Sequence, residues 1–578
     1  MIDLKANPFF LSDEDIKWVK DTLDSMTVEK KAGQLFCPVG FSADDGLLNH
    51  QICGIGVGAM MYRPGSASEI RETHKKIQDM AEIPLLLAAN TENGGNGLAF
   101  EGTSFGQPMA VAATGDEENA YRMGYTACAE GAALGMNWSF APIVDINMEF
   151  HNPITNVRTF GSDPERVLAF SRAYIRGAGE NHVAVAVKHF PGDGVDERDQ
   201  HILTSVNSLS QSEWDQSFGK IYAALISEGA QTIMVGHIAL PCYAEGNEKY
   251  LPASLSQSLM TGLLRNRLGF NGLICTDATP MVGFTSAMPR RLAVPTAIAA
   301  GADMILFNKD LDEDYHFILD GIENRILSLS RLDEAVTRIL ATKAALGLHR
   351  KQAAGTLVPE KDAVGIVGCE RHRSWAGETA DEAVTLVRDT QNLLPLSPDR
   401  YKRVYLNVIQ KNMNPGDPVV LEWKRLFEAE GFEVTVRDRT VNINVQDFAD
   451  IAGMSGEKKA LMHEMYRSIE EVHEDYDLYV YVCNMENASN NTTLRLNWNV
   501  TFGLGDDAPW FTSEIPTMMI STAYPYHLFD APMLKTYINA YAGTEDFRHA
   551  VIEKIMGRSE FKGISPVDPF CGREDIRQ

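Results

Sequence analysis

The sequence is poor in positive charge. Across 578 residues, 52 Lys and Arg stand against 78 Asp and Glu, a formal net charge of −26. A surface of that sign repels phosphate backbones and anionic membrane faces, which excludes nucleic acid and membrane as primary partners. Cysteine is sparse as well. The eight residues Cys37, Cys53, Cys128, Cys242, Cys275, Cys369, Cys483 and Cys571 include no C-x-x-C pair. That spacing signals neither a zinc site nor a disulfide framework. Scattered thiols suit a reducing compartment, so the cytoplasm is the expected address. No apolar run approaches the roughly 18 residues of a membrane span. The opening stretch MIDLKANPFFLSDED lacks the apolar core of a secretory leader, so none is expected. Repeats and low-complexity tracts are missing too. With 44% hydrophobic and 22% charged residues, the chain has the apolar content that a disordered chain lacks.

What remains is an alternation of apolar runs and helical stretches. Residues 1–350 hold seven strand-like runs, at 54–61, 84–90, 136–145, 183–190, 232–237, 272–277 and 302–307. Each gap is long enough for a crossover helix. Continuously apolar strands are typical of a parallel sheet covered on both faces. Seven such units suit a (β/α)8 TIM-type barrel better than an open sheet, although the pattern does not place an eighth strand. A helix is predicted over 332–346, with Ser330 as N-cap and Gly347 at its C′ position. Residues 351–373 look like a linker. A second alternation, with strands at 403–409, 433–436, 478–484 and 516–522, predicts a smaller C-terminal α/β sandwich over 374–578. That domain is expected to buttress the barrel or mediate a homodimer.

In a parallel barrel, functional groups gather at the carboxyl ends of the strands. Asn90 and Glu92 follow the second run, Asp145 ends the third, and Lys188-His189 ends the fourth. His237 and Asp277 close two more. The stretch VKHFPGDGVDERDQH is the richest. Asp199 and His201 are one residue apart, and on an extended loop their side chains point the same way. A carboxylate there holds an imidazole in one tautomer and raises its proton affinity, as general acid–base work requires. A solvated polar loop would carry the same letters. Asp277 could be a nucleophile, a metal ligand or a helix N-cap, and local sequence alone favours the cap. The Gly94–Gly97 run lacks the Gly-Lys-Ser/Thr ending of a phosphate loop.

Taken in order, these motifs resemble glycoside hydrolase family 3, and most closely its two-domain NagZ-type β-N-acetylglucosaminidases. MTVEKKAGQL is similar to the family's opening helix, PLLLAANTENGGNG to a substrate loop, and NVRTFGSDPERV to the Arg-Ser-Phe-Gly segment. KHFPGDG…DQH resembles the signature Lys-His-Phe-Pro-Gly-His-Gly…Asp-Ser-His. LPASLSQSLMTGLLRNRLGFNGLICTDATPMVG resembles the nucleophile region, and ETADEAVTLVRDTQNLLPL the second domain. The resemblance implies a retaining hydrolase that removes terminal β-linked N-acetylhexosamine by double displacement, with no metal or organic cofactor. Asp277 matches the nucleophile, and His201 with Asp199 the acid/base dyad. Arg158, Lys188 and His189 match sugar-binding positions, with Asn90, Glu92, Asp145 and His237 beside them. A neutral imidazole repels an incoming anion less than a carboxylate does, which leaves phosphate open as acceptor.

Three departures stand out. Asp193 replaces the middle histidine of Gly-His-Gly, Gln200 replaces the serine of Asp-Ser-His, and Asn90 replaces an early aspartate. The changes at Asn90 and Asp193 motivate one alternative, a carbohydrate-binding protein without catalysis; beside it stand a phosphorylase and a glycosidase for another β-linked sugar with Glu486 as its acid/base.

Overall fold

The computed structural model describes residues 2–62, 64–411, 414–485, 489, 490, 492, 494–496, 498 and 507–577. The chain divides into two compact units.

The first unit is built on one parallel sheet. Its strands are β1 (Phe36–Cys37), β2 (Val39–Gly40), β3 (Ala59–Tyr62), β4 (Leu86–Ala89), β5 (Trp138–Ser139) and β6 (Ala184–Phe190). They continue with β7 (Ser205–Val206), β8 (Thr232–Val235), β9 (Ile238–Ala239), β10 (Leu273–Ala278) and β11 (Met304–Leu306). Nine of them form a sheet in the order β1-β11-β10-β8-β6-β5-β4-β3-β2. The two ends of that order, β1 and β2, are separated in the chain only by Pro38. They are halves of one strand, and through it the sheet closes into an eight-stranded barrel. Phe36 pairs with Ile305 on one side, and Val39 pairs with Met61 on the other. Pro38 cannot donate a hydrogen bond, but its carbonyl accepts from Met61 N at 3.0 Å. This split strand is the one the apolar pattern could not place. It is two residues, a proline and two residues, too short for any periodicity.

Full burial explains the rest of the pattern. Every residue of β4, β6 and β8 is buried, as a sheet covered on both faces requires. The run at 54–61 begins instead as a helical turn, His50–Ile55, and becomes strand only at Ala59. The run at 136–145 yields a strand of only two residues, because the chain leaves the ladder ahead of Pro142 and rejoins β6 through a single bridge, Ile143 with Lys188. The helix near 332 begins earlier, at Leu329. Ser328, not Ser330, is its N-cap and accepts from Arg331 N. Gly347 follows in the left-handed region, φ 67°. Residues 351–373 carry the end of one helix, Leu348–Ala354, a 3₁₀ turn, Lys361–Ile366, and the start of another, Glu370–Ala383.

The second unit holds a six-stranded sheet. Its strands are β12 (Thr385–Asp389), β13 (Arg403–Gln410), β14 (Glu433–Val436), β15 (Leu478–Asn484), β16 (Thr517–Ser521) and β17 (Thr536–Asn539), in the order β12-β17-β16-β15-β13-β14. Only β12 and β17 pair antiparallel. Its core is rich in aromatics, among them Tyr405, Tyr479, Tyr481, Phe511 and Tyr537.

Candidate active site

Two barrel strands break register where their polar residues sit. The ladder between β6 and β8 shifts after Val187, and that between β10 and β11 shifts after Cys275. Such irregularities re-aim side chains that a regular pleat would send into the barrel wall or the helices. Lys188-His189 and Thr276-Asp277 occupy these breaks. The Lys188–His189 peptide bond is cis.

From there the groups form one connected network. Arg158, in the 3₁₀ turn Asn156–Arg158, grips Glu92 with two parallel hydrogen bonds, Nε to Oε2 at 2.9 Å and Nη2 to Oε1 at 2.8 Å. Lys188 Nζ donates to Glu92 Oε1 at 2.5 Å and to Asn90 Oδ1 at 3.4 Å. The two cations are therefore paired rather than free, leaving one net positive charge among the three. Burial would raise the Glu92 carboxyl, but Arg158 and Lys188 hold it well below the usual carboxylate range.

Asp145 is fully buried. Its Oδ2 accepts from His189 Nδ1 at 2.7 Å, and its Oδ1 accepts from the backbone N–H groups of His189 at 3.1 Å and Asp193 at 2.8 Å. His189 thus presents Nε2 to the interior, 3.9 Å from Asp277 Oδ2. Asp277 Oδ1 accepts from Ala278 N at 2.6 Å. It does not cap a helix, since the next one, Val282–Thr285, has Met281 at its N-cap. Burial would raise the Asp277 carboxyl, but the imidazoles of His189 and His201 and the Ala278 N–H outweigh it. The group sits below its ordinary value and stays ionised.

His237 is buried with both nitrogens engaged. Nε2 donates to Ala278 O at 2.9 Å, and Nδ1 lies 2.7 Å from Ser254 Oγ. A carbonyl only accepts, so Nε2 carries the hydrogen and Nδ1 takes the serine's. Burial pushes this imidazole down, consistent with a neutral ring.

Asp199 and His201 meet as the spacing suggests, but through a turn rather than an extended loop. Asp199 Oδ1 accepts from His201 N at 2.8 Å, an Asx turn, and from His201 Nδ1 at 2.7 Å. The same carboxylate's Oδ2 accepts from Asn490 N at 2.7 Å. With Nδ1 held as a donor, Nε2 is the nitrogen that exchanges a proton. It lies 3.0 Å from Ser489 Oγ. Ser489 and Asn490 belong to the segment Ala488–Thr492, which groups with the barrel unit although it follows β15 in sequence. Nothing in the local letters signals that return. Glu486 and Asn487 lie outside the described residues. Among the described residues, no group of three His, Cys, Asp or Glu side chains is placed to hold a metal ion.

Residues 27–342 match the family model described as the glycosyl hydrolase family 3 N-terminal domain. The chain belongs to glycosyl hydrolase family 3. A β-N-acetylglucosaminidase/β-glucosidase of Cellulomonas fimi is 40% identical over 581 positions, covering 100% of both chains. A β-hexosaminidase of Chromobacterium violaceum is 30% identical over 46% of this chain and 74% of its own. Among solved structures, β-glucoside phosphorylase BglX is similar with a TM-score of 0.90, at 43% identity and 99% coverage of each chain. A family 3 β-N-acetylglucosaminidase from Paenibacillus sp. str. FPU-7 shares the fold, with a TM-score of 0.77 at 24% identity over 94% of this chain and 99% of that one. As in the family, the barrel precedes a second α/β unit, and the chain is a family 3 glycosidase.

Proposed function

We propose that this glycosidase is a retaining enzyme that removes terminal β-linked N-acetylhexosamine, N-acetylglucosamine first among them. The observation that carries the roles is the pairing of an ionised Asp277 with an imidazole whose Nδ1 is locked on Asp199. Asp277 attacks the anomeric carbon while His201 Nε2–H protonates the departing oxygen, so the glycosidic bond breaks as the Asp277 ester forms. The neutral His201 then takes a proton from water as the ester breaks, and the sugar leaves with its original configuration. His189, oriented by Asp145, steers the nucleophile. The Glu92–Arg158–Lys188 cluster and Asn90 bind sugar hydroxyls, and His237 braces the floor. The full-length similarity to the Cellulomonas fimi enzyme supports the sugar class.

Incubation with a 5-fluoro-N-acetylglucosaminide or a 2-fluoroglucoside bearing a good leaving group tests the nucleophile. Asp277 should gain the sugar's mass, and an unlabelled Asp277 overturns its assignment. A second reading rests on the similarity to BglX: phosphate in place of water as the attacking group. Product analysis with and without phosphate separates the two. Free sugar supports hydrolysis, and a sugar 1-phosphate supports phosphorolysis. No helix of the described residues is long and apolar enough to cross a membrane. All eight cysteines are unbridged, which favours the cytoplasm.

A further inference from the structure

Two of the three departures from the family signature touch each other. Gln200 Nε2 donates to Asp193 Oδ2 at 3.0 Å. Gln200 is fully buried and sits between Asp199 and His201 in the chain. Its other end is also used, with Oε1 accepting from His237 N at 2.9 Å. Asp193 is fixed in turn. Its Oδ1 accepts from Asn152 Nδ2 at 3.1 Å and from Gly194 N at 2.7 Å, and its own N–H holds Asp145.

Building on the acid/base role proposed for His201, we infer that Gln200 is a positioning residue. Clamped between Asp193 and the His237 backbone, it sets where His201 presents Nε2 to the leaving group. The clamp joins the segment carrying His201 to the ends of β6 and β8. The opposite side of that segment is held independently, by Val282 N donating to His201 O at 2.9 Å and Thr204 Oγ1 donating to Gly283 O at 2.9 Å. Proton transfer needs the imidazole within a fraction of an ångström of its productive place, and a surface loop has no such precision unaided.

The clamp has a defined polarity. Asp193 accepts three N–H donors, so Gln200 must turn its NH2 toward it and its oxygen toward His237 N. In Asp193→Asn the new amide sets donor against donor at one contact in every orientation. In the double variant Asp193→Asn/Gln200→Glu the carboxylate moves across the contact. The amide at position 193 then donates where the wild-type carboxylate accepted, and every hydrogen bond is restored.

The test compares kcat/KM for a phenyl β-glycoside, which needs a proton on departure, with that for a dinitrophenyl β-glycoside, which does not. Melting temperatures are recorded for each variant. His201→Ala sets the benchmark and should lose far more on the phenyl substrate. Gln200→Ala and Asp193→Asn should lose about 10- to 100-fold on the phenyl substrate and less than about 3-fold on the dinitrophenyl one. The double variant should return to within about 3-fold of wild type on both. Equal losses on both substrates, no loss, or no recovery in the double variant overturns the clamp. A His201→Ala variant that treats both substrates alike overturns the acid assignment itself, and the clamp's role with it.

Discussion

Glu92 is the single anion between a buried cation, Lys188, and a partly buried one, Arg158. Substituting it by Gln removes the charge and leaves Arg158 and Lys188 facing each other. An uncompensated buried charge costs about 3–5 kcal/mol. Glu92→Gln is expected to lose stability of that order in urea unfolding and to raise KM. Its pH dependence has a definite sign. The folded carboxyl lies below its ordinary value of 4.5, so its contribution is complete above that value and is lost as pH falls further. The wild type should lose this component below pH 4.5, and Glu92→Gln should not. Lys343 is a buried charge that costs stability instead of contributing it. It is fully buried, and its Nζ donates to an uncharged partner, Gln34 Oε1, at 2.7 Å. Burial pushes its ammonium down from 10.5 to about 7. Between those values the unfolded chain binds the extra proton, so stability rises with pH there, and the penalty is complete below pH 7. Lys343→Met should therefore stabilise the protein at pH 6 and show a smaller gain at pH 9, read from urea midpoints.

At the scale of elements, one carboxylate organises the amino end of the barrel. Asp303, just before β11, accepts from Ile274 N of β10 at 2.9 Å. It also meets Arg265 at 2.5 Å, Arg331 at 2.6 Å and Arg338 at 3.5 Å. This end lies opposite the polar rim and serves stability. Asp303→Asn leaves Arg265 without its anion, and Arg331 and Arg338 with only the half-exposed Glu334, and is expected to cost about 3–5 kcal/mol. The folded fraction should keep its kcat, which active-site titration with the fluorosugar checks. Element by element, the legible parts of the sequence are those with a long physical signal. β6, β8 and β10 are continuous apolar runs ending in polar residues, and pattern alone places them. β1, β2 and β5 are two-residue ladders, below any periodicity. The Asp199–His201 pair is legible because a two-residue spacing confines two side chains to one neighbourhood, whatever turn connects them. The contact of Gln200 with Asp193 is not, because it needs the loop to double back over seven residues. Ser489 and Asn490 lie 288 and 291 residues from their partners, a distance no local pattern spans.

At the scale of the molecule, the two units exchange short pieces of chain. Residues Met109–Gly115 group with the second unit, and Ala488–Thr492 with the first. The former hold all but the first residue of the buried apolar helix Pro108–Ala113, and Ala113 O accepts from Ile564 N at 2.8 Å. A chain cut after residue 373 would strip that helix of its own unit and remove Asn490 from Asp199. Such a truncation is expected to melt lower and to lose most of its kcat/KM on a phenyl glycoside. A fully active truncated barrel would contradict this.

The strand divided by Pro38 also sets an order of events during synthesis. Residues 36–37 find their partners only at 305–306, so the ring stays open until most of the barrel has left the ribosome. Until then β2 through β6 stand as a growing sheet with unpaired edges, a state prone to sticking to its neighbours. Closure joins the most distant parts of the barrel last, when loop entropy is most costly. The divided strand is thus the latch of the barrel's folding, and chaperone demand in the cell should follow how quickly that latch is reached.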